Sequence, residues 1–275
     1  MTARMVLFSL PVLSYRHGMT SVTLLHVGGP TLLIETAGLR FLTDPTFDKA
    51  PQEYPSPRRV FRKTADPAVT ETGVGHIDAV LLSHDQHVDN LDGAGRRFLK
   101  SVPDVYTTLS GAARLDGPAR GLKPWDSVRI PAGTAAVTLT AMPARHGKAG
   151  IESVAGDVVG FLLEIPNARG DLYISGDTVF YEDVAEIGRR RSIALAVVHL
   201  GGVRLPADQS LMTMDAESAT RLARTMGSPP IVPVHYEGWE HFEQTREAAE
   251  TAFGRLRYES HVHWLVKGVS TTFEI

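Results

Sequence analysis

The chain has 275 residues, 28 Lys and Arg against 31 Asp and Glu, a formal charge of −3, and 43% hydrophobic against 21% charged residues. That balance excludes disordered and collagen-like chains. No apolar run approaches the roughly 18–20 residues of a membrane-spanning helix, and a weakly acidic chain is not built as a general binder of nucleic acid or anionic membrane. Domains commonly run to about 100–200 residues and α/β types further, so one large domain over residues 1–275 is expected. With no cysteine anywhere, disulfides, thiolate zinc sites, iron–sulfur clusters and cysteine nucleophiles are all ruled out. Any metal must rest on His, Asp, Glu or Asn.

The apolar stretch Met5–Leu13 carries Pro11 and runs into Tyr15-Arg16-His17 without a small-residue cleavage site. It reads as an N-terminal extension, residues 1–18, and a cytoplasmic location is the default. Val22–Val27, Thr31–Thr36 and Leu39–Thr43 are aliphatic or β-branched runs separated by Gly28-Gly29-Pro30 and Gly38, the spacing of hairpins. From Asp44 to Gly75 come five prolines and the basic residues Arg58, Arg59, Arg62 and Lys63. The spacing predicts a long Pro-rich loop insertion over 45–75, of the kind that commonly carries function.

Ala79-Val80-Leu81-Leu82 predicts a strand buried on both faces, followed by a polar turn and a helix over Leu91–Lys100. Strands are expected at Ala136–Met142, Val158–Ile165, Leu172–Ser175, Ile193–Leu200, Ile231–Val234 and His263–Val266. Helices are expected at Phe180–Arg190, from a cap at Thr213 or Asp215 to Met226 with Gly227 as its stop, and at Glu243–Leu256. Hairpins first and strand–helix alternation afterwards suggest a layered α/β or α+β domain with two sheets between helices.

The densest chemical signal is Ser83-His84-Asp85-Gln86-His87-Val88-Asp89-Asn90-Leu91-Asp92, placed where the buried strand ends. Two imidazoles and a carboxylate within six residues converge only if the backbone turns sharply, which a strand-to-helix loop does while both flanks stay rigid. His146, Asp177 and His235 each also follow an apolar strand. Singly, His146 reads as a loop histidine and Asp177 as a turn residue or cap. Together, polar ligands at strand ends point to one rim, where α/β scaffolds place their chemistry.

The order Asp44, His-rich turn, His146, Asp177, His235 resembles the metallo-β-lactamase superfamily. Leu81-Leu82-Ser83-His84-Asp85, Ser175-Gly176-Asp177-Thr178 and Ile231-Val232-Pro233-Val234-His235-Tyr236 are similar to its L-ascorbate 6-phosphate lactonase-like branch and to the N-acyl-phosphatidylethanolamine phospholipase D-like hydrolases. The resemblance spans about residues 20–270 and implies a four-layer αββα sandwich with a metal site at the edge between its sheets. Carried over, it implies His84, His87 and His146 around a first metal, Asp177 bridging, and Asp89 and His235 around a second. The family pattern His-x-His-x-Asp-His is altered here to His84-x-x-His87-x-Asp89-Asn90, so Asn90 falls on a ligand position. A neutral amide is a poorer ligand than imidazole for a borderline metal, which implies a weaker or empty second site. Asp85, Gln86 and Asp92 are candidate substitutes or partners of the ligands.

One or two divalent ions are therefore expected, zinc first, with manganese or iron also suited to the donors. A metal-bound hydroxide would attack a phosphodiester, lactone or related ester, with Asp89 orienting the water and moving its proton, and His199 as the acid where it reaches the rim. An Asp at position 177, where many true β-lactamases of the superfamily carry Cys, makes antibiotic hydrolysis the poorer reading. The partner is a small-molecule substrate, an anionic one where Arg58, Arg59, Arg62 or Lys63 meets it, and Tyr236, Trp239 and Phe242 are candidates to wall its pocket. The alternative is a non-catalytic ligand-binding member of the same fold whose second metal site has degenerated.

Overall fold

The computed structural model describes residues 20–57 and 59–275, so the N-terminal extension read over 1–18 and Arg58 lie outside the described residues. In chain order the strands of the first half are β1 (Ser21–Gly28), β2 (Thr31–Thr36), β3 (Leu39–Thr43), β4 (Gln52–Pro55), β5 (Val60–Lys63), β6 (Ala79–Leu81), β7 (Val105–Thr108), β8 (Ala119–Leu122) and β9 (Ser127–Ala132). The second half supplies β10 (Ala135–Pro143), β11 (Val159–Glu164), β12 (Asp171–Ile174), β13 (Ile193–His199), β14 (Ile231–Val234) and β15 (Ser270–Glu274). The helices are α1 (Gly93–Phe98), α2 (Leu109–Arg114), α3 (Glu152–Ala155), α4 (Glu182–Arg190), α5 (Ala216–Thr225) and α6 (Arg246–Arg255).

Two sheets stack face to face. One has the order β15-β1-β2-β3-β6-β7-β8, the other β14-β13-β12-β11-β10-β9, and β4 and β5 form a separate hairpin. Because side chains alternate along a strand, each sheet buries one set inward and one outward. Phe41 and Leu81 of the first sheet meet Leu139, Phe161, Leu172 and Val197 of the second in the central core. The neighbours Leu42, Val80 and Leu82 point the other way, toward α1. On the far side Leu162, Tyr173, Ala196 and Val198 pack on Val184 and Ile187 of α4, Leu222 of α5 and Phe253 of α6. The result is helix, sheet, sheet, helix, the αββα sandwich expected.

The run Ala79–Leu82 is buried on both faces, as its unbroken hydrophobicity predicts. Asp215 and Thr245 cap α5 and α6 with their side chains. The helix predicted from Glu243 begins later, because Gln244 accepts a bond from the first amide of α5 and Glu243 one from the Arg204 amide. The strand expected at His263–Val266 is not formed. The bridge just before it, Val262 to Ile231, is isolated, the His263 amide alone continues to the Ile231 carbonyl, Val266 is exposed, and the last strand is β15, paired antiparallel to β1. The elements of 105–132, unread in the sequence, are short strands and one turn of helix that extend the first sheet and begin the second.

The Pro-rich segment is not a bare loop. Its hairpin is tied down by Lys63, whose Nζ donates to Asp92 Oδ2 at 2.9 Å and to the Thr46 carbonyl at 3.0 Å, both ends of the ion pair being buried. Asp92 in turn accepts from the amides of Phe47, Asp48 and Gly95, capping α1. Gly95 is required here, since a Cβ on it would lie 1.8 Å from the Pro45 carbonyl oxygen. Removing one partner of such a pair leaves an uncompensated buried charge, which costs roughly 3–5 kcal/mol. Lys63→Met is expected to lose stability of that order in denaturant unfolding, whereas Arg62→Met, at an exposed pair, stays within about 1 kcal/mol of wild type. Equal, small losses in both would show that the Lys63–Asp92 pair does not anchor the hairpin.

Candidate metal centre

The strands β6, β12, β13 and β14 run parallel within their sheets, and β10 shares the direction of β12 through the antiparallel β11 between them. Their carboxyl ends therefore open on one rim, and the residues just past them are Ser83-His84, His146, Asp177, Leu200 and His235. At that rim the sheets are joined directly, as the Val159 amide donates to the Ser83 carbonyl and the His235 amide to the Gly29 carbonyl. Asp44 and His235 both turn with positive φ, 31° and 59°. This is strained backbone for a residue with a Cβ, and it re-aims each side chain at the strand end toward the rim.

Three imidazoles converge. His84 Nε2 lies 3.0 Å from His87 Nδ1, and His146 Nε2 lies 3.1 Å from the same atom. Protons satisfy these three ring nitrogens only through one shared, three-centre hydrogen bond at His87 Nδ1, whereas a cation takes a lone pair from each. Their other nitrogens fix them in place: His84 Nδ1 meets Ser83 Oγ at 2.9 Å, and His146 Nδ1 meets the Met212 carbonyl at 2.8 Å. Such partners set the tautomer and aim of a metal-ligating histidine. Asp177 stands beside this set, with Oδ2 3.9 Å from His146 Nε2 and 3.5 Å from His235 Nε2. His235 Nε2 is also 3.3 Å from Asp89 Oδ2, and that oxygen is 2.8 Å from His241 Nε2. Ligands held at about 2.1 Å around one ion lie roughly 3.0–3.4 Å apart by tetrahedral or octahedral geometry. Two groups of donors therefore lie side by side, His84, His87 and His146 in one and Asp177, His199 and His235 in the other, each with its ligand atoms within 4.8 Å of one another, and Asp89 Oδ2 reaches the second through His235 Nε2.

Electrostatics support that reading. Burial, reinforced by His87 beside it, holds His84 well below the ordinary imidazole value, and burial with the nearby His146 pushes His87 down to about 4. Both rings are thus neutral at pH 7, the state in which imidazole ligates. Burial alone would lower His235 too, but Asp177 and Asp89 outweigh it and push it up to about 9. Burial would raise Asp89 and Asp177, yet His241 and His235 hold the first well below the usual carboxylate range, and His235 and His199 do the same for the second.

Other expectations land elsewhere. His199 does not reach the rim: it is fully buried behind Asp177, with Nδ1 3.0 Å from Asp177 Oδ1 and Nε2 3.8 Å from Asp44 Oδ2. There it orients Asp177 so that Oδ2 faces the histidines. Asn90 is fully buried and outside the cavity wall, its Nδ2 only 3.5 Å from Ser83 Oγ and its Oδ1 without a partner. Asp85 is spent on a two-pronged pair with Arg114, and Asp92 on Lys63. Arg62 is paired with Glu53 and Glu240. Tyr236 and Trp239 are packed inward, so the aromatic wall comes instead from Tyr54 and Phe61 of the hairpin. His241, unread in the sequence, closes the site; its only sequence signal is a second imidazole six residues after His235, in a segment without hydrophobic periodicity.

The rim opens on a cavity of about 650 Å³, with His87, Asp89, His146, Asp177, His235 and His241 at its floor. Its walls are largely apolar: Pro55, Val88, Val154, Val203, Leu205 and Met212 join the two hairpin aromatics. Two guanidiniums reach it. Arg204 is engaged by Asp215 and the Gln209 carbonyl, while Arg59 rests on the Phe61 ring, 4.2 Å from its centroid, with no ion-pair partner among the described residues.

The two-sheet sandwich and its paired His and Asp set define a metal-dependent hydrolase of the metallo-β-lactamase fold. The chain belongs to the β-lactamase superfamily, whose family model, described as a beta-lactamase superfamily domain, matches residues 39–236. It is similar to the UPF0173 protein YddR of Bacillus subtilis (strain 168), 23% identical over 249 residues, covering 88% of this chain and 96% of that one. A UPF0173 metal-dependent hydrolase of Methanosphaerula palustris is 26% identical over 185 residues, covering 65% and 77%. Among solved structures, an isothiocyanate hydrolase from Delia radicum gut bacteria superposes with a TM-score of 0.78 at 24% identity, covering 92% of this chain and 99% of that one.

These pKa directions fix the pH response of the metal-free protein. His84 and His87 sit below the ordinary 6.5, so their contribution to stability is present above 6.5 and is lost as pH falls from there, that of His87 through about 4. His235 sits above 6.5, so its contribution is present below 6.5 and is lost as pH rises through about 9. Scanning calorimetry in a chelator should show the melting temperature falling on both sides, with His87→Gln shrinking the acid limb. A metal-free profile that is flat across that span would contradict the assignment.

Proposed function

We propose that the chain hydrolyses a lactone or related ester with an apolar body and one anionic group, with a phosphodiester as the second choice within the same reaction class. The observation that carries this is the cavity. It is large enough for a metabolite-sized molecule, it is walled mostly by apolar side chains, and among the described residues it offers one guanidinium without an ion-pair partner. A phosphodiester carries its single negative charge at the reacting phosphorus itself, whereas a guanidinium on the hairpin wall suits an anionic group elsewhere on the substrate. His84, His87 and His146 would hold a first divalent ion, zinc by preference with manganese or iron also suited to nitrogen and oxygen donors, and Asp177, Asp89 and His235 a second. Such ions lower the pKa of bound water toward about 7 and polarise the carbonyl or phosphoryl oxygen under attack.

The chain's own residues supply the rest. Asp89, kept ionised by two imidazoles, accepts a hydrogen bond and so orients the attacking water rather than storing its proton. His199 holds Asp177 in register from behind. Tyr54 and Phe61 cover the apolar body and keep bulk water from the reacting bond, and Arg59 receives the anionic end. Losing a hydrogen bond to a charged group costs about 1.5–3 kcal/mol.

A panel of lactones and carboxylic esters, matched in anionic and neutral pairs, tests the reading, with an isothiocyanate included on the strength of the structural likeness. Chelator should abolish turnover, and Arg59→Ala should raise KM about 10- to 100-fold for the anionic member with kcat nearly unchanged, leaving the neutral member unaffected. Turnover undiminished by chelator would sink the metal-dependent reading. Tight metal binding without hydrolysis of any panel member would favour the non-catalytic ligand-binding alternative.

A further inference from the structure

The second set of donors is one imidazole short of the family pattern, because Asn90 stands where the last histidine of that pattern falls. The structure does not repair this with Asn90 itself: its carboxamide faces Ser83, behind His84, and lies outside the cavity wall. The missing imidazole comes from another part of the chain. His241 lies in the segment between β14 and α6 and forms part of the cavity floor, with nine-tenths of its side chain buried.

Three features set its position. Its Nε2 is 2.8 Å from Asp89 Oδ2, and that oxygen is 3.3 Å from His235 Nε2, which is 3.5 Å from Asp177 Oδ2. Each consecutive spacing is close to the roughly 3.0–3.4 Å that separates ligands sharing one ion, and the chain ends on Asp177 and His235, which with His199 form a group whose ligand atoms all lie within 4.8 Å of one another. The ring is held edge-on to Phe61 with centroids 5.0 Å apart and against Phe242 at 4.7 Å, which fixes where Nε2 points. Its Nδ1 is buried without a partner, so the two aromatic rings rather than a hydrogen bond at that nitrogen aim it.

We propose that His241 is a ligand of the second metal ion, standing in for the histidine that Asn90 replaces. The inference rests on the metal-dependent reading above and adds to it: the second site is complete, with Asp89, Asp177, His235 and His241, and binds a borderline divalent ion such as zinc. It also relocates the ligand. The family position is on the buried side of the His-rich turn, whereas His241 reaches the ion from the cavity side, on the segment that carries Trp239 and Phe242.

The experiment is the zinc content per chain, by mass spectrometry after zinc loading and desalting, with the second binding step followed by calorimetric titration. The probes are wild type, His241→Ala, His241→Gln and Asn90→Ala. Wild type and Asn90→Ala are expected to hold two ions. His241→Ala and His241→Gln are expected to keep one, with the second weakened at least about a hundredfold, beyond the 10–100-fold typical of a group that merely supports a ligand. The Gln variant can keep a hydrogen bond to Asp89 but supplies no imidazole. Two ions at wild-type affinity in it would reduce His241 to a partner of Asp89 and overturn the proposal.

Loss of the second ion in Asn90→Ala but not in His241→Ala would overturn it as well, by returning the role to the family position. The first ion serves as the internal check on folding, and loss of both ions in the His241 variants would assign that residue a structural role instead. A wild-type chain that takes up no zinc at all would fail the metal-dependent reading itself, a result distinct from any of these.

Discussion

Asp177 is fully buried, and one of its oxygens is taken by His199, so the other must be satisfied by what faces it: the imidazoles of His146 and His235. A carboxylate in that position is costly unless cations or donors surround it, and the architecture of the rim follows from meeting that demand. Two sheets bring five strand ends together so that imidazoles on both sides of Asp177 can reach it. The neutral His84 and His87 on one side and the protonated His235 on the other are the two faces of one electrostatic arrangement. A divalent cation on each side would relieve both the facing ring nitrogens and the crowded carboxylates.

The sheets can do this because their core is indifferent to the site. Phe41, Leu81, Phe161 and Val197 fill the space between them, and the strained turns at Asp44 and His235 occur only where the strands have ended. Asp44 shows the division of labour. It binds no histidine of the rim closely; one oxygen accepts the Ser83 amide at 2.7 Å and the other lies 3.8 Å from His199. It thereby ties the start of the His-rich turn to the residue that orients Asp177. Burial and the neighbouring Asp177 push its carboxyl well above the usual range.

What the sequence made legible follows the same division. An apolar run ending in a polar residue marks a strand that stops at a rim, and that signal picks out His84, His146, Asp177 and His235, all of which the structure gathers. The buried strand Ala79–Leu82 and the Asp215 cap of α5 were legible because they depend only on neighbours in sequence. The hairpin of β4 and β5 was hidden by its prolines, and its position depends on a salt bridge between Lys63 and Asp92, 29 residues apart. The last strand was misplaced for a related reason: β15 is half exposed and is defined by pairing with β1, at the opposite end of the described chain. His241 had no periodic segment around it, and its meaning lies in its distance from Asp89, 152 residues away.

The departure from the family pattern in the His-rich turn then has a structural reading. One extra residue between His84 and His87 leaves His87 meeting both His84 and His146 through Nδ1, while Asn90 turns inward toward Ser83. A histidine at position 90 would have to share the buried space behind His84 with Ser83, whose hydroxyl already fixes that ring. An amide fills the same space without a further titratable group. The imidazole is then free to come from the cavity side, where Phe61 of the hairpin packs against it and Lys63 of the same strand anchors the hairpin to Asp92. On this view the hairpin serves as both wall and brace: it shapes the substrate cavity, and it holds in place the ring that faces the shared carboxylate of Asp89.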